Sequence, residues 1–333
     1  RKHDFHRQSI PGSKPMKSGI IKMENKTVFK QNILSEWKKN ASFWLKGRMR
    51  HIGDVKDKTL HEIRRLTDTK GNTVPLIVDL GCGEGWLYRA IKEAGIQVKY
   101  IGLDFNEKFI TELKVRFAND KSADFILHDI EQPPPDELIQ KADIAVNAFN
   151  YFEIPNLEKA IEHTSLLLKE GGYLLLLTID PIMQLLAISN SRIDFLNNLS
   201  VYAKEGGNLG YRKNIVVGNT KTNHYYYGIL YSCEDYINIA KRYHLAFDRY
   251  SEIVKPEKPT PQEPTHCRSM RAGFRHRPPL RPPGRPARPE SSHERKNETP
   301  RSSSVSPCQK FTSACNATRR CAGVAVVEKV CPS

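Results

Sequence analysis

The feature that most constrains the fold is an apolar strand followed at once by alternating glycines and a helix. Residues 75–80 are apolar enough for the interior of a sheet, and Gly81, Gly83 and Gly85 come directly after them. A dinucleotide-binding loop would need its third glycine at position 86, where Trp86 stands, so a nicotinamide enzyme is disfavoured. The glycines let a ligand approach the backbone, and the helix start behind them favours a carboxylate, so the loop suits an amino-acid-like ligand.

Short apolar runs alternate with segments of helical spacing along the middle of the chain. The strands are predicted at residues 75–80, 98–103, 123–127, 142–146 and 173–179, with helices between them. Asn106 is the expected cap of one such helix. This alternation predicts an α/β fold, a Rossmann-like doubly wound, mostly parallel sheet with helices on both faces.

The composition changes near Val254 and divides the chain into a domain and two flanking segments. Of a formal charge of +15, residues 255–333 contribute 16 Lys and Arg against 6 Asp and Glu, and they hold 13 of the 21 Pro. We expect residues 1–32 to be a flexible extension, residues 33–254 to be one domain, and residues 255–333 to be a Pro/Arg-rich disordered tail. The tail cysteines include no C-x-x-C pair, so no metal site is predicted.

The run from Val78 to Gly85 resembles the first motif of class I S-adenosylmethionine-dependent methyltransferases. The resemblance implies S-adenosylmethionine as the cofactor, with Asp104 on its ribose hydroxyls, Asp129 near its adenine amino group, Asn147 at the end of the fourth strand and Cys82 in contact through its backbone. The implied cofactor-binding set is Asp79, Gly81, Cys82, Gly83, Gly85, Asp104, Asp129 and Asn147.

The same resemblance subdivides the domain and indicates where the acceptor binds. Residues 33–70 would form a helical lid, residues 75–180 the cofactor-binding half, and residues 181–244 an acceptor-side insertion and helix. The family also places an antiparallel seventh strand soon after the sixth. Here the later strand-like run is residues 322–327, so we expect that strand to be missing or displaced and a sheet edge to be exposed.

We expect a small-molecule acceptor that is methylated on oxygen or nitrogen. The catalytic residues are otherwise unassigned, but His224 is a candidate general base by residue type and Tyr151 is a further candidate. Aligning the acceptor with an already electrophilic methyl group matters more than acid or base catalysis, because orientation contributes ~7–11 kcal/mol of barrier.

Two alternatives to a small-molecule enzyme stay open. A nucleic-acid or protein methyltransferase would suit the net charge, although residues 147–150 lack the Pro-Pro signature of enzymes that methylate base amino groups, and residues 1–254 carry 36 basic and 31 acidic side chains. The basic tail could bind nucleic acid nonspecifically. A noncatalytic methyltransferase-like binding module is the other alternative.

The sequence also indicates a cytoplasmic protein that makes no use of a membrane. The longest apolar strand candidate, residues 173–179, is far shorter than the ~20 residues that a membrane-spanning helix needs, and the first residues are charged. The oligomeric state is left open.

Overall fold

The computed structural model describes residues 19–21, 23, 25–45, 53–69, 71, 73–205, 209–217, 220–254 and 320–330. The helices are α1 Lys26–Trp44, α2 Gly53–Asp68, α3 Trp86–Glu93, α4 Glu107–Arg116, α5 Leu157–Leu167, α6 Pro181–Ile188, α7 Arg192–Glu205 and α8 Cys233–Arg242. The strands are β1 Gly19–Ile21, β2 Leu76–Leu80, β3 Lys99–Asp104, β4 Ala123–Leu127, β5 Ala142–Ala148, β6 Leu168–Thr178, β7 Leu209–Val217, β8 Thr220–Leu230, β9 Leu245–Val254 and β10 Arg320–Lys329.

The main sheet has seven strands in the order β4-β3-β2-β5-β6-β10-β9. The five strands from β4 to β6 run parallel, and β10 is antiparallel to both of its neighbours. The chain moves outward from β2 through β3 to β4 and then returns to the other side of β2, so a crevice forms at the carboxyl ends of β2 and β5. This carboxyl edge is where a ligand of such a sheet is expected.

Helices cover both faces of the main sheet, as the doubly wound pattern predicts. Ile77 packs in one apolar cluster with side chains of α2, α3 and α4, whereas its neighbour Val78 packs in another with side chains of α1, α5 and α8. Successive strand residues point to opposite faces, so a strand with both faces covered reads as a continuous apolar run. Asn106 accepts a hydrogen bond from the Lys108 N–H and caps α4, which confirms its predicted role.

The domain begins earlier than predicted, because part of the predicted extension forms regular structure. Residues 1–18 of that extension lie outside the described residues. Helix α1 begins at Lys26, where the Asn25 side chain accepts hydrogen bonds from the next turn. Strand β1 pairs with β7 and joins β7 and β8 in a separate antiparallel sheet. Helices α6 and α7 pack on that sheet, so the stretch predicted as an acceptor-side insertion contains a strand pair as well as helices.

The far end of the segment predicted as a disordered tail forms a strand, whereas residues 255–319 of that prediction lie outside the described residues. Strand β10, within the segment predicted as disordered, lies between β6 and β9 and pairs with both. It includes the run at residues 322–327 that the sequence singled out, so the seventh strand is displaced along the chain and present in the sheet. The edge of β6 is therefore covered, contrary to the expectation of an exposed edge there. No helix in the described ranges has the length and apolar character needed to cross a membrane.

Candidate cofactor site

The loop after β2 is held to β3 by backbone hydrogen bonds. The N–H groups of Gly81 and Cys82 both donate to the Leu103 carbonyl, at 2.7 and 2.9 Å. Gly81, Gly83 and Gly85 all have left-handed φ angles, +75°, +53° and +78°, which is the backbone region that favours glycine. All three alternating glycines are therefore required by the path of the chain.

The three glycines differ in what a side chain would meet. A Cβ on Gly81 would lie 1.5 Å from the Asn150 Nδ2, and one on Gly85 would lie 2.5 Å from the Leu113 side chain. A Cβ on Gly83 would meet no atom within 4 Å. Protein packing thus accounts for two of the glycines, and Gly83 is the point where a ligand has room to approach the loop.

Asp104 ends β3 beside this loop as a buried carboxylate. Its Oδ2 accepts the Gly83 N–H at 2.9 Å, and its Oδ1 accepts the Asn106 N–H at 2.8 Å. Burial raises the pKa of Asp104 to about 6, although these two backbone hydrogen bonds lower it. Each carboxylate oxygen keeps a further lone pair, so the group can accept two hydroxyl groups from a ligand.

Asp79 is a second buried carboxylate, one residue before the end of β2. It accepts a hydrogen bond from the Tyr100 hydroxyl, while its Oδ1 has no hydrogen-bond partner among the described residues. Burial raises the pKa of Asp79 to about 7, the Tyr100 hydrogen bond lowers it, and the charge of Asp104 raises it. A buried acceptor without a donor is costly, so this oxygen fits a ligand that carries a donor.

Asp129, which follows β4, forms an ion pair with helix α1. Lys30 of α1 contacts Asp129 at 2.6 Å and Glu131 at 2.6 Å. Burial lowers the pKa of Lys30, but its bonds to these two carboxylates outweigh burial and raise the pKa overall. Glu131 is only 8% exposed and also accepts the Asn156 N–H. The role of Asp129 in cofactor binding stays a prediction, and its partner Lys30 was not predicted from the sequence.

The side chains of Asn147 and Cys82 are buried next to the loop that follows β2. The fully buried Asn147 side chain donates to the Leu80 carbonyl at 3.4 Å and accepts the Tyr151 N–H at 3.0 Å. It therefore ties the segment after β5 to the end of β2. The Cys82 side chain is buried in the core, next to Gly102, and its backbone N–H and carbonyl bond to Leu103 and Gly85, so a cofactor contact by Cys82 stays a prediction.

The structure argues against Tyr151 as a catalytic residue and does not describe the side chain of His224, the other candidate. The Tyr151 hydroxyl is buried 2.5 Å from the Thr164 hydroxyl, and burial raises its pKa well above the ordinary value. A proton-transfer role for Tyr151 is therefore disfavoured. The backbone of His224 belongs to β8, but its side chain lies outside the described part of the structure, so its role as general base stays a prediction.

Glu153, which sequence reasoning missed, lies at the end of the turn that follows β5. The Trp37 Nε1 of α1 donates to its Oε2, and the Trp37 carbonyl accepts the Asn106 side chain at 3.1 Å. Burial raises the pKa of Glu153 to about 8, the Trp37 hydrogen bond lowers it, and the charge of Asp104 raises it. Helix α1 is thereby fastened across the carboxyl edge of the main sheet.

The part of the chain that contains the glycine loop and Asp104 matches known proteins. Residues 77–172 match a family model described as a methyltransferase domain. The chain is 29% identical over 134 residues to the non-reducing polyketide synthase sorB of Penicillium rubens, and 24% identical over 131 residues to the non-reducing polyketide synthase sor2 of Hypocrea jecorina. Each match covers 38% of this chain and 5% of the relative, so the chain corresponds to about one-twentieth of the length of these proteins.

Among solved structures, an S-adenosylmethionine-dependent methyltransferase from Mesorhizobium loti is similar to the chain. The sequences are 13% identical, the match covers 80% of this chain and 96% of that one, and the TM-score is 0.43.

Proposed function

We propose that the chain is a class I S-adenosylmethionine-dependent methyltransferase, which binds S-adenosylmethionine at the carboxyl edge of the main sheet and transfers its methyl group to a small molecule. The match of residues 77–172 to a methyltransferase domain supports this proposal. The observation that carries the proposal is the pairing of Gly83 with Asp104. A loop position with open space stands directly beside a buried carboxylate that has unused acceptor capacity. This combination suits a ligand with a ribose and an amino-acid end.

The residues present fit each part of that cofactor. Asp104 would accept the ribose hydroxyls, and the N–H groups at the start of α3 would hold the methionine carboxylate. The Oδ1 of Asp79, which has no partner among the described residues, fits a role in accepting the methionine ammonium. Asp129, which holds Lys30 through one oxygen, would use its remaining acceptor capacity for the adenine amino group. When bound, the cofactor supplies an electrophilic methyl group on a sulfonium.

The protein's own contribution to the reaction is to orient the acceptor and exclude water. Helix α1 crosses the carboxyl edge and is held there by Lys30 at one point and Trp37 at another. Such placement is worth ~7–11 kcal/mol of barrier, against ~3–5 kcal/mol for a general base. No strong base is therefore required, although the acceptor proton must be transferred to a base or to water.

A small molecule with an oxygen or nitrogen nucleophile is the proposed acceptor. Both curated relatives are polyketide synthases, by name enzymes of small-molecule synthesis. In this chain the sheet of β1, β7 and β8 brings Tyr225, Tyr226 and Tyr227 of β8 beside α1 and the segment after β5. Tyrosine rings can line a flat pocket, and their hydroxyls can orient an acceptor.

Calorimetric titration of the full chain with S-adenosylmethionine and S-adenosylhomocysteine tests the cofactor site. We expect binding in the micromolar range that is lost in Asp104→Ala. The matched control is Asp124→Ala, an exposed aspartate on the neighbouring strand β4, which should leave binding unchanged. No binding of either ligand to the folded chain would contradict the proposal.

The acceptor is tested separately, by screening phenols and amines for methylated products by mass spectrometry. Binding of the cofactor without any product from either class would favour the noncatalytic alternative.

A further inference from the structure

Glu153 occupies a position at the carboxyl edge that none of the assigned cofactor contacts uses. The turn that contains it follows β5 directly, and Trp37 donates one hydrogen bond to its Oε2. The other oxygen, Oε1, accepts no hydrogen bond from the described residues. The side chain is only partly buried, so this oxygen is accessible to a ligand at the edge.

No cation of the described part of the chain is paired with Glu153. None of the described lysine, arginine or histidine side chains forms an ion pair with it. Lys30, the cation that α1 brings to this edge, is already bound by Asp129 and Glu131. An indole N–H is a neutral donor and does not compensate a carboxylate charge.

Glu153 belongs to a group of carboxylates whose charges affect one another. The negative charge of Asp104 raises the pKa of Glu153, and Glu153 in turn contributes to the raised pKa of Tyr226 on β8. Asp79 and Asp104 also have no ion-pair partner in the described residues. When these carboxylates are ionised, the edge therefore has an excess of negative charge in a partly desolvated setting, where electrostatic interactions are stronger than in water.

We propose that Glu153 is the residue that makes this site prefer the positively charged cofactor to its neutral product. The inference rests on the proposed function, because it assumes that S-adenosylmethionine binds at this edge. On transfer, the methyl carbon bonds to the acceptor and the electron pair of the broken C–S bond stays on sulfur, which becomes neutral. Glu153 thus attracts the substrate form and gives no such attraction to S-adenosylhomocysteine, which favours product release.

The test is the ratio of the two dissociation constants, measured by calorimetry on the full chain at about pH 8.5, where Glu153 is mostly ionised. We expect Glu153→Gln to reduce the preference for S-adenosylmethionine over S-adenosylhomocysteine by roughly tenfold, mainly through weaker binding of S-adenosylmethionine. The matched control is Glu93→Gln, which removes the same charge from an exposed position at the far end of α3 and should leave the ratio unchanged.

Three further results have distinct meanings. Glu153→Asp keeps the charge and should retain most of the preference, and Glu153→Ala, which also removes the charge, makes the same test if Glu153→Gln does not fold. An equal loss of affinity for both ligands, or an unchanged ratio, in Glu153→Gln would overturn the role of Glu153 and leave the cofactor site intact. Failure of the unmodified chain to bind either ligand would contradict the proposed function itself.

Discussion

Gly81 and Gly83 share a left-handed backbone conformation but differ in their surroundings, which separates a folding requirement from a binding requirement. Both have positive φ angles, so alanine at either position costs ~1–2 kcal/mol through the backbone alone. At Gly81 the added methyl group would also collide with Asn150, whereas at Gly83 it would enter open space. Stability and affinity should therefore respond differently to the two substitutions.

Gly83→Ala is expected to lower the melting temperature by only a few degrees while weakening S-adenosylmethionine binding at least tenfold, because its methyl group would occupy ligand space. Gly81→Ala should lower the melting temperature considerably more. Differential scanning fluorimetry and calorimetric titration of both variants make the comparison. Full affinity in Gly83→Ala would show that the ligand does not approach this part of the loop.

At the scale of elements, sequence periodicity predicted the strands and helices that bury a regular face. Strands β2 to β5 lie within a few residues of their predicted positions, because each is an apolar run bounded by turn residues. The start of α1 was missed because its first turns are mostly polar, and its buried Phe29 and Ile33 are only two apolar positions. Glu153 was missed for another reason, since its importance comes from Trp37, more than a hundred residues away in sequence.

The attachment of α1 gives a prediction at this scale. Lys30→Met would leave Glu131, only 8% exposed, without its cation, and should lower the free energy of unfolding by about 2 kcal/mol, between the values for surface and buried ion pairs. Lys56→Met is the matched control, because the Lys56–Glu93 pair is exposed and 3.5 Å long. Urea unfolding measures both, and hydrogen exchange should increase mainly in α1. An equal effect of the two variants would argue against Lys30 as an anchor.

At the scale of the whole molecule, the main sheet depends on a strand that is distant in sequence. Strand β10 supplies the pairing on one side of β6, and β9 joins the sheet through β10. The sequence suggested the strand at residues 322–327 but could not place it, because residues 255–319 separate it from β9 and a pattern of apolar residues does not specify a partner. A chain that ends at Val254 would leave β6 unpaired along that side and β9 without its neighbour, a situation that favours aggregation.

The pairing of β9 with β10 also shows how the chain could be shortened without losing the sheet. Val254 and Arg320 are partners in the antiparallel register, so their backbones lie next to each other and a two-residue Asn-Gly turn can join them. Replacing residues 255–319 by this turn shortens the connection about 30-fold, or five doublings, which should stabilise the fold by about 3 kcal/mol through a smaller loop-closure entropy.

We expect the shortened chain to bind S-adenosylmethionine as the full chain does, and the chain that ends at Val254 to aggregate. Size-exclusion chromatography with urea unfolding distinguishes the two. A stable monomer ending at Val254 would show that β10 is dispensable, and loss of folding in the Asn-Gly variant would show that residues 255–319 contribute to the domain beyond connecting its last two strands.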